Sequence, residues 1–194
     1  MFAHSISVHD FGARGDGVGL DTPAIQSAID ACTAQGGGVV FLPPGNYLTG
    51  TITLKDNITL HIGPNARLLG STSLADYPTM NSAALYDYYD YCLLSARGAR
   101  NITLTGEGCV DGQGAAFPYG SEGFNFEDED AAASTQSFIR PMLIHFAACQ
   151  NVTISKLTLQ HAASWCCNLE KCKEMHIDGV QLFNRANQNN DGFD

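Results

Sequence analysis

The feature that most constrains the fold is a four-residue segment that recurs along the chain. Three copies begin with asparagine and alternate apolar with polar side chains, and a fourth keeps the alternation but begins with glutamate. They occupy residues 57–60, 101–104, 151–154 and 174–177. Their starts lie 44, 50 and 23 residues apart, which we interpret as two, two and one units of one repeat. Such self-similarity is typical of a solenoid, in which each repeat packs on its neighbours.

The last two repeats can be superposed with an offset of 23 residues. The offset aligns apolar side chains in three short segments, represented by the pairs Met142/Trp165, Ile154/Ile177 and Leu159/Leu182. A unit of this length, rich in β-branched residues and glycine, favours short strands over two full helices. We therefore predict an all-β fold, a right-handed parallel β-helix whose coils share one apolar interior. The inward side chains are expected to be Ile144, Phe146, Val152, Ile154, Leu157, Leu159, Met175, Ile177, Val180 and Leu182.

The first fifty residues follow a different pattern, with a strand, a helix and a second strand. Apolar side chains between Ala24 and Cys32 recur at helical spacing. Asp21 fits the N-cap position and Pro23 fits the first turn, while three successive glycines end the helix. We predict that residues 1–50 form an N-terminal cap whose helix, over residues 22–34, covers the first coil, and that residues 51–194 form the coils.

The balance of charge excludes several kinds of partner. Ten Lys and Arg residues oppose twenty Asp and Glu residues, which gives a formal net charge of −10. Such a chain is poorly suited to bind nucleic acid or an anionic membrane surface, and no apolar run approaches the roughly 18 residues of a membrane span. The first residues contain no basic segment followed by an apolar stretch. As written, the sequence predicts a cytoplasmic protein, or an extracellular or periplasmic one whose leader has been removed.

The seven cysteines give no sign of a metal or redox centre. No Cys-x-x-Cys pair occurs, and the adjacent Cys166 and Cys167 have no further ligands at metal-binding spacing. Cys149 aligns with Cys172 in the superposed repeats, where a buried stack of thiols is expected rather than a disulfide. We therefore predict no metal and no cofactor.

The strongest functional signal is the polar segment of residues 187–194. Its two carboxylates, Asp191 and Asp194, lie three residues apart, with amides before them and Gly192 between them. Paired carboxylates supply the acid and the base that glycoside hydrolysis needs, and coils stacked about 4.8 Å apart can crowd carboxylates and separate their pKa values. Asn-Asp-Gly segments are also common in turns, so the motif alone leaves both interpretations open.

Further segments carry a resemblance to a known family. Residues 10–17 (DFGARGDG) and 36–47 resemble the start of the wider pectate-lyase-like superfamily, which epimerases and phage tailspikes share, so they imply only the fold. More specific are Arg140-Pro141, residues 149–154 and Ser164-Trp165. Residues 189–194 are similar to the motif N-T-D-G-x-D, with Asn190 in place of threonine. Together these segments resemble the N-terminal part of glycoside hydrolase family 28, the polygalacturonases and their relatives.

The resemblance implies hydrolysis of α-1,4-galacturonosyl linkages in pectin, with inversion at the anomeric carbon. Asp191 matches the first catalytic aspartate, which shares the role of base, and Asp194 matches the last aspartate of the motif. Residues three apart in a strict strand point to opposite faces, so both can face a cleft only if the chain bends at Gly192. We therefore expect Asp191, more than Asp194, to lie in the cleft.

The substrate implied by the resemblance is an acidic polysaccharide, and four residues are candidates to bind it. Asn189 belongs to the matched motif. His145 and Asn168 are stacked equivalents, expected on the outside of the same strand column as Asp191, where they line substrate subsites or form a solvated pair. Arg140 holds a uronate carboxylate or braces the acidic segment of residues 115–138, which we interpret as a long loop.

The chain also departs from the family. The general acid of the family lies in a G-D-D motif, its histidine in G-H-G and its carboxylate clamp in R-I-K, and none of these occurs in the 194 residues. We therefore expect a fragment that is inactive alone and that self-associates through an open C-terminal coil. Two alternatives remain: a lyase or epimerase of the same fold, which usually needs calcium, and a non-catalytic carbohydrate-binding or tailspike-like coil.

Overall fold

The computed structural model describes residues 4–78, 91–117, 139–187 and 190–194. Within these ranges the chain forms one α-helix, α1 (Thr22–Ala34), and sixteen strands. The strands are β1 (Ser5–Ser7), β2 (Asp16–Leu20), β3 (Gly38–Leu42), β4 (Gly45–Thr49), β5 (Ile52–Thr53), β6 (Ile58–Ile62), β7 (Ala66–Gly70), β8 (Cys92–Arg97), β9 (Arg100–Gly106), β10 (Cys109–Asp111), β11 (Met142–Ala147), β12 (Gln150–Ser155), β13 (Thr158–Gln160), β14 (Cys167–Glu170), β15 (Lys173–Asp178) and β16 (Gln181–Phe183). No helix in the described ranges has the length and apolar character needed to cross a membrane.

The strands form three parallel sheets that run side by side along one axis. Sheet I has the order β1-β3-β6-β9-β12-β15, sheet II the order β2-β4-β7-β10-β13-β16, and sheet III the order β5-β8-β11-β14. The chain passes repeatedly from sheet III to sheet I and then to sheet II, so that each round adds one strand to each sheet. This arrangement confirms the predicted right-handed parallel β-helix.

The predicted register is confirmed, but the predicted number of coils is wrong. Val152 pairs with Met175 and Leu159 pairs with Leu182, as the 23-residue offset requires. However, β6 pairs directly with β9, and β9 with β12. The steps of 44 and 50 residues are therefore single coils rather than two units each. The additional residues all lie where the chain passes from sheet II to sheet III, because 71–91 separate β7 from β8 and 112–141 separate β10 from β11.

The asparagine that opens the recurring segment lies at the corner between sheets III and I. Asn57, Asn101 and Asn151 have φ angles of 60°, 56° and 55°, in the left-handed region that asparagine tolerates better than most residues. Their side chains form a ladder: Nδ2 of Asn101 donates to Oδ1 of Asn57 (2.7 Å), and Nδ2 of Asn151 donates to Oδ1 of Asn101 (2.8 Å). Glu174, at φ 56°, takes the next position. The repeat therefore encodes a turn as well as a strand.

The interior is a stack of apolar columns. One column runs from Val40 through Leu60, Leu104 and Ile154 to Ile177. The first four of these residues are fully buried, whereas Ile177 is 39% exposed. The six predicted inward residues up to Leu159 are buried, but Leu182 is 37% exposed and Met175 and Val180 are only partly buried. Burial decreases in the last coil because none of the described residues forms a further coil over it.

The helix α1 follows β2 at a position where later coils pass from sheet II to sheet III. It buries Ile25, Ala28, Ile29 and Cys32 against the same core, so its apolar face takes the place of a sheet III strand. Asp21 is the N-cap residue as predicted, and its carbonyl accepts from the N–H of Ile25 (3.0 Å), but its side chain forms no capping hydrogen bond. Its carboxylate instead accepts hydrogen bonds from the backbone N–H groups of Arg14 (2.7 Å) and Gly15 (3.0 Å). The domain boundary at residue 50 stays a prediction.

Candidate functional site

The motif with the two carboxylates forms the next position of sheet III after β14. The backbone N–H groups of Cys166 and Cys167 donate to the carbonyls of Asp191 (3.1 Å) and Gly192 (3.0 Å). The N–H of Asp194 donates to the carbonyl of Cys167 (2.9 Å), and its own carbonyl accepts from Leu169 (2.9 Å). These four hydrogen bonds fix the backbone of the motif against the sheet.

The register of this ladder decides which side chains share a column. Phe193 pairs with Cys167, which in turn pairs with Ile144. Because side chains alternate along a strand, the residue after Phe193 falls on the opposite face. Asp194 therefore continues the column of His145 and Asn168, with neighbouring members about 4.8 Å apart.

This register corrects the prediction that Asp191 shares the column of His145 and Asn168. The chain bends at Gly192, so that regular pairing begins only at Phe193 and Asp191 precedes it. Both Asp191 and Asp194 have exposed side chains. The bend that we expected at Gly192 is present, and the participation of the two carboxylates in one cleft stays a prediction. Asn189 lies outside the described residues.

His145 and Asn168 stack as predicted, but His145 is not a surface residue. It is only 5% exposed, whereas Asn168 is half-buried. The His145 Nε2 atom lies 3.9 Å from Oε2 of Glu170, which is two residues beyond Asn168 on the same strand. Lys171 lowers the pKa of Glu170, with smaller contributions from His145 and Arg97. The column thus changes from buried at His145 to exposed at Asp194.

Arg140 lies just before β11 and is half-buried. Its Nη1 atom donates a hydrogen bond to the carbonyl of Ala163 (2.8 Å), which fixes the entry into β11 to the segment that leads into β14. The acidic segment that it was predicted to brace lies, from residue 118 to 138, outside the described residues. Both roles of Arg140, holding a uronate carboxylate and bracing the acidic segment, stay predictions.

Asn187 is a residue of the site that the sequence analysis missed. Its Nδ2 atom lies within hydrogen-bond distance of the carbonyls of Gly114 (2.7 Å), Phe117 (2.9 Å) and Ala163 (3.2 Å). It therefore ties the chain just ahead of the motif to the corner after β10 and to the carbonyl that Arg140 also contacts. The signal in the sequence was the run of amides before Asp191, since an amide can satisfy several buried carbonyls at once.

Two adjacent thiols lie directly beneath the motif. Cys166 and Cys167 are fully buried, and the Sγ of Cys167 donates to the Sγ of Cys166 at 3.9 Å. That hydrogen bond, together with burial, raises the pKa of the Cys167 thiol, and it lowers the pKa of Cys166. All seven cysteines are free, and no metal-binding group of His, Cys, Asp or Glu occurs in the described part of the chain.

Comparison with known proteins finds similar sequences and structures over almost the whole chain. A probable polygalacturonase of Vitis vinifera is 28% identical over 193 residues, a match that covers 93% of this chain and 37% of the relative. The structure of the Yersinia enterocolitica family 28 exopolygalacturonase superposes with a TM-score of 0.79 and 27% identity, over 98% of this chain and 41% of that one. The chain is similar to the family 28 polygalacturonases in sequence and in fold. It spans less than half the length of these two proteins.

Parts of the chain are also similar to proteins with other names. A family model described as rhamnogalacturonase A/epimerase, pectate lyase-like, matches residues 5–84. Mannuronan C5-epimerase AlgE6 of Azotobacter vinelandii is 53% identical over 62 residues, which cover 28% of this chain and 7% of the epimerase. The region that precedes β8 is thus matched by a model that names both a rhamnogalacturonase and an epimerase, in agreement with our interpretation that the opening implies the fold only.

Proposed function

We propose that this chain carries part of the active site of a pectin-degrading glycoside hydrolase that cleaves α-1,4-galacturonosyl linkages. The observation that supports this most directly is the position of Asp191–Asp194, held by four backbone hydrogen bonds beside β14. There the motif ends the polar column of Asn168 and His145. The relationship to polygalacturonases over almost the whole chain gives the substrate class.

The chemistry proposed is an inverting displacement that uses two carboxylates. Asp191, exposed at the bend, takes a proton from the water that attacks the anomeric carbon, and the resulting hydroxide displaces the leaving sugar oxygen. That oxygen must be protonated by an acid on the other side of the sugar, with room for the water between the two groups. The G-D-D motif that supplies this acid in the family is absent from the 194 residues. We therefore propose that the 194 residues alone do not hydrolyse the substrate.

The polar column forms the floor on which the sugar chain lies. Asn168 is half-buried and its Nδ2 donates to the Sδ of Met142 at 3.7 Å, so its amide oxygen is the group that sugar hydroxyls would contact, and Asp194 is exposed beside it. His145 offers little surface, and its contribution is to position its neighbours. Arg140 is half-buried just before β11, and its guanidinium is of the type that forms paired hydrogen bonds with a uronate carboxylate.

The test is hydrolysis of polygalacturonate by the product of the complete reading frame. We expect the release of reducing ends, and a fall of about 10²–10⁴-fold in kcat for Asp191→Asn, the usual effect of losing a general base. Asp178→Asn is a matched control, because Asp178 is an exposed aspartate at the end of β15, away from sheet III. Unchanged turnover in Asp191→Asn would remove this residue from the mechanism.

A second candidate function is lyase or epimerase chemistry on the same fold. Its support is the match of residues 5–84 and the high identity to a mannuronan C5-epimerase over 62 residues. A lyase releases an unsaturated uronate that absorbs in the ultraviolet, and an epimerase changes the sugar without cutting the chain. Reducing ends without an absorbing product favour the hydrolase, and an absorbing product that requires calcium favours the lyase.

We also propose that copies of the 194-residue chain associate through the last coil. β15 and β16 are the terminal strands of sheets I and II. Ile177, Leu182 and Phe183 are 39%, 37% and 52% exposed there. Unpaired strand edges beside exposed apolar side chains recruit further strands, so a second copy is the expected partner.

A further inference from the structure

A groove lies at the corner where the chain passes from sheet III to sheet I. It encloses about 430 Å³ and is lined by Arg100, Lys171 and Lys173, together with the backbone of Gly98 and Ala148. Arg97, the last residue of β8, lies directly before Gly98. We call the three lining side chains Arg100, Lys171 and Lys173, together with the adjacent Arg97, the basic groove.

This concentration of positive charge is unusual for the chain. Four of the ten Lys and Arg residues belong to the basic groove, on a protein with a net charge of −10. The register explains how they come together. Arg100 and Lys173 both pair with Gln150, from opposite sides, so they lie two strand spacings apart, about 9.6 Å from backbone to backbone. The two cations therefore lie on alternate coils, with the neutral Gln150 between them.

Three carboxylates near the groove neutralise it only in part. Glu170 forms a salt bridge with Lys171 at 2.8 Å. Glu174 accepts a hydrogen bond from the Gln150 amide at 3.3 Å, and Asp56 accepts one from the backbone N–H of Arg100 at 2.9 Å. Arg100 and Lys173 are exposed, and neither forms a salt bridge with another residue in the described ranges. These two cations are thus available to an anionic ligand.

The groove is close to the proposed site. Ser95 pairs with His145, and two residues further along the same two strands Arg97 pairs with Ala147. On the next strand Glu170 pairs with Ala147, and Glu170 lies two residues beyond Asn168. The basic groove therefore begins where the strands that carry the polar column end. A polymer held in the groove would lie beside sheet III.

We propose that the basic groove is a second binding site for an acidic polysaccharide, in which carboxylates of the sugar chain pair with Arg100 and Lys173. The inference rests on the substrate class of the proposed function but not on hydrolysis. A guanidinium can form two parallel hydrogen bonds with a carboxylate, and several weak contacts with one polymer act together. By holding the polymer next to sheet III, the groove raises its local concentration at Asp191.

The experiment measures binding of unesterified polygalacturonate to the purified protein by affinity electrophoresis at low salt. We expect Arg100→Gln/Lys173→Gln to weaken binding about 4- to 25-fold, since an exposed ion pair typically contributes about two- to fivefold, and we expect added salt to weaken it further. Arg14→Gln/Lys156→Gln is the matched control, because it removes the same charge from exposed positions outside the groove. It should change binding less than twofold.

Several results would overturn the inference. An equal loss in the control would show that only net charge matters. Equal binding of fully methyl-esterified pectin would exclude the carboxylates, and equal competition by DNA would show a general preference for polyanions. In the product of the complete reading frame, Asp191→Asn separates the two proposals, because it should lower turnover about 10²–10⁴-fold and leave the dependence of binding on Arg100 and Lys173 unchanged. Binding that depends on Arg100 and Lys173 in a complete gene product without hydrolase activity would support the groove and contradict the proposed function.

Discussion

The asparagine ladder gives a prediction that can be worked through from the structure. Asn101 is its central member: its amide donates to Asn57 at 2.7 Å and accepts from Asn151 at 2.8 Å, and its φ angle is 56°. Asn101→Ala removes both side-chain hydrogen bonds, which contribute about 0.5–1.5 kcal/mol each. It also places a less tolerant residue in the left-handed region, which costs about 1–2 kcal/mol. The free energy of unfolding should fall by about 2–5 kcal/mol.

Asn101→Gly separates these two contributions. Glycine loses the same hydrogen bonds but adopts a positive φ without strain, at the smaller expense of about 0.4–1 kcal/mol from the entropy of the unfolded chain. We therefore expect the glycine variant to be more stable than the alanine variant by about 1 kcal/mol. Urea unfolding followed by circular dichroism measures both. Equal stability of the two variants would refute the argument that the turn conformation selects asparagine, and wild-type stability in both would refute the ladder itself.

Four further outcomes are expected. Asp191→Asn should reduce polygalacturonate hydrolysis by the complete gene product about 10²–10⁴-fold, as measured by reducing-end release. Light scattering should show that the 194-residue chain self-associates, and Ile177→Lys/Leu182→Lys should return it towards a monomer; a wild-type monomer at high concentration would contradict this. Glu174→Asn should raise the urea midpoint by extending the asparagine ladder, and an unchanged or lower midpoint would contradict the extension. Burial raises the pKa of Tyr47 from 10.0 to about 12, so the neutral phenol stabilises the fold below about pH 10. The free energy of unfolding should therefore fall as the pH rises from about 10 to about 12, and it should fall less in Tyr47→Phe.

Much of the fold could be predicted from the sequence because stacked coils repeat the same local pattern. The 23-residue offset gave the pairing of Val152 with Met175 and of Leu159 with Leu182. The coil count was wrong because periodicity cannot distinguish two short coils from one coil with a long connection. Asp21 occupies the predicted N-cap position, but the bonds from its carboxylate to the N–H groups of Arg14 and Gly15 could not be predicted because they depend on tertiary structure.

The candidate site was less predictable than the fold. Sequence spacing alone assigned Asp191 to the column of Asn168, but the bend at Gly192 moves the start of pairing to Phe193 and brings Asp194 into that column. Alternation along a strand holds only where the strand is continuous. Asn187 was missed for a related reason, since the carbonyls of Gly114, Phe117 and Ala163 that it joins come from distant parts of the sequence.

The unequal corners of the coil have a consequence for how such a protein can vary. Gly98 and Ala99 alone separate β8 from β9, and Ala148 and Cys149 alone separate β11 from β12, whereas the connections from sheet II to sheet III include residues 71–91 and 112–141. Insertions or deletions at the short corners would break the asparagine ladder and shift every later pairing. At the long corner the chain can gain or lose residues while each strand keeps its partner. Insertions or deletions within these two connections should therefore leave the pairing within the three sheets unchanged.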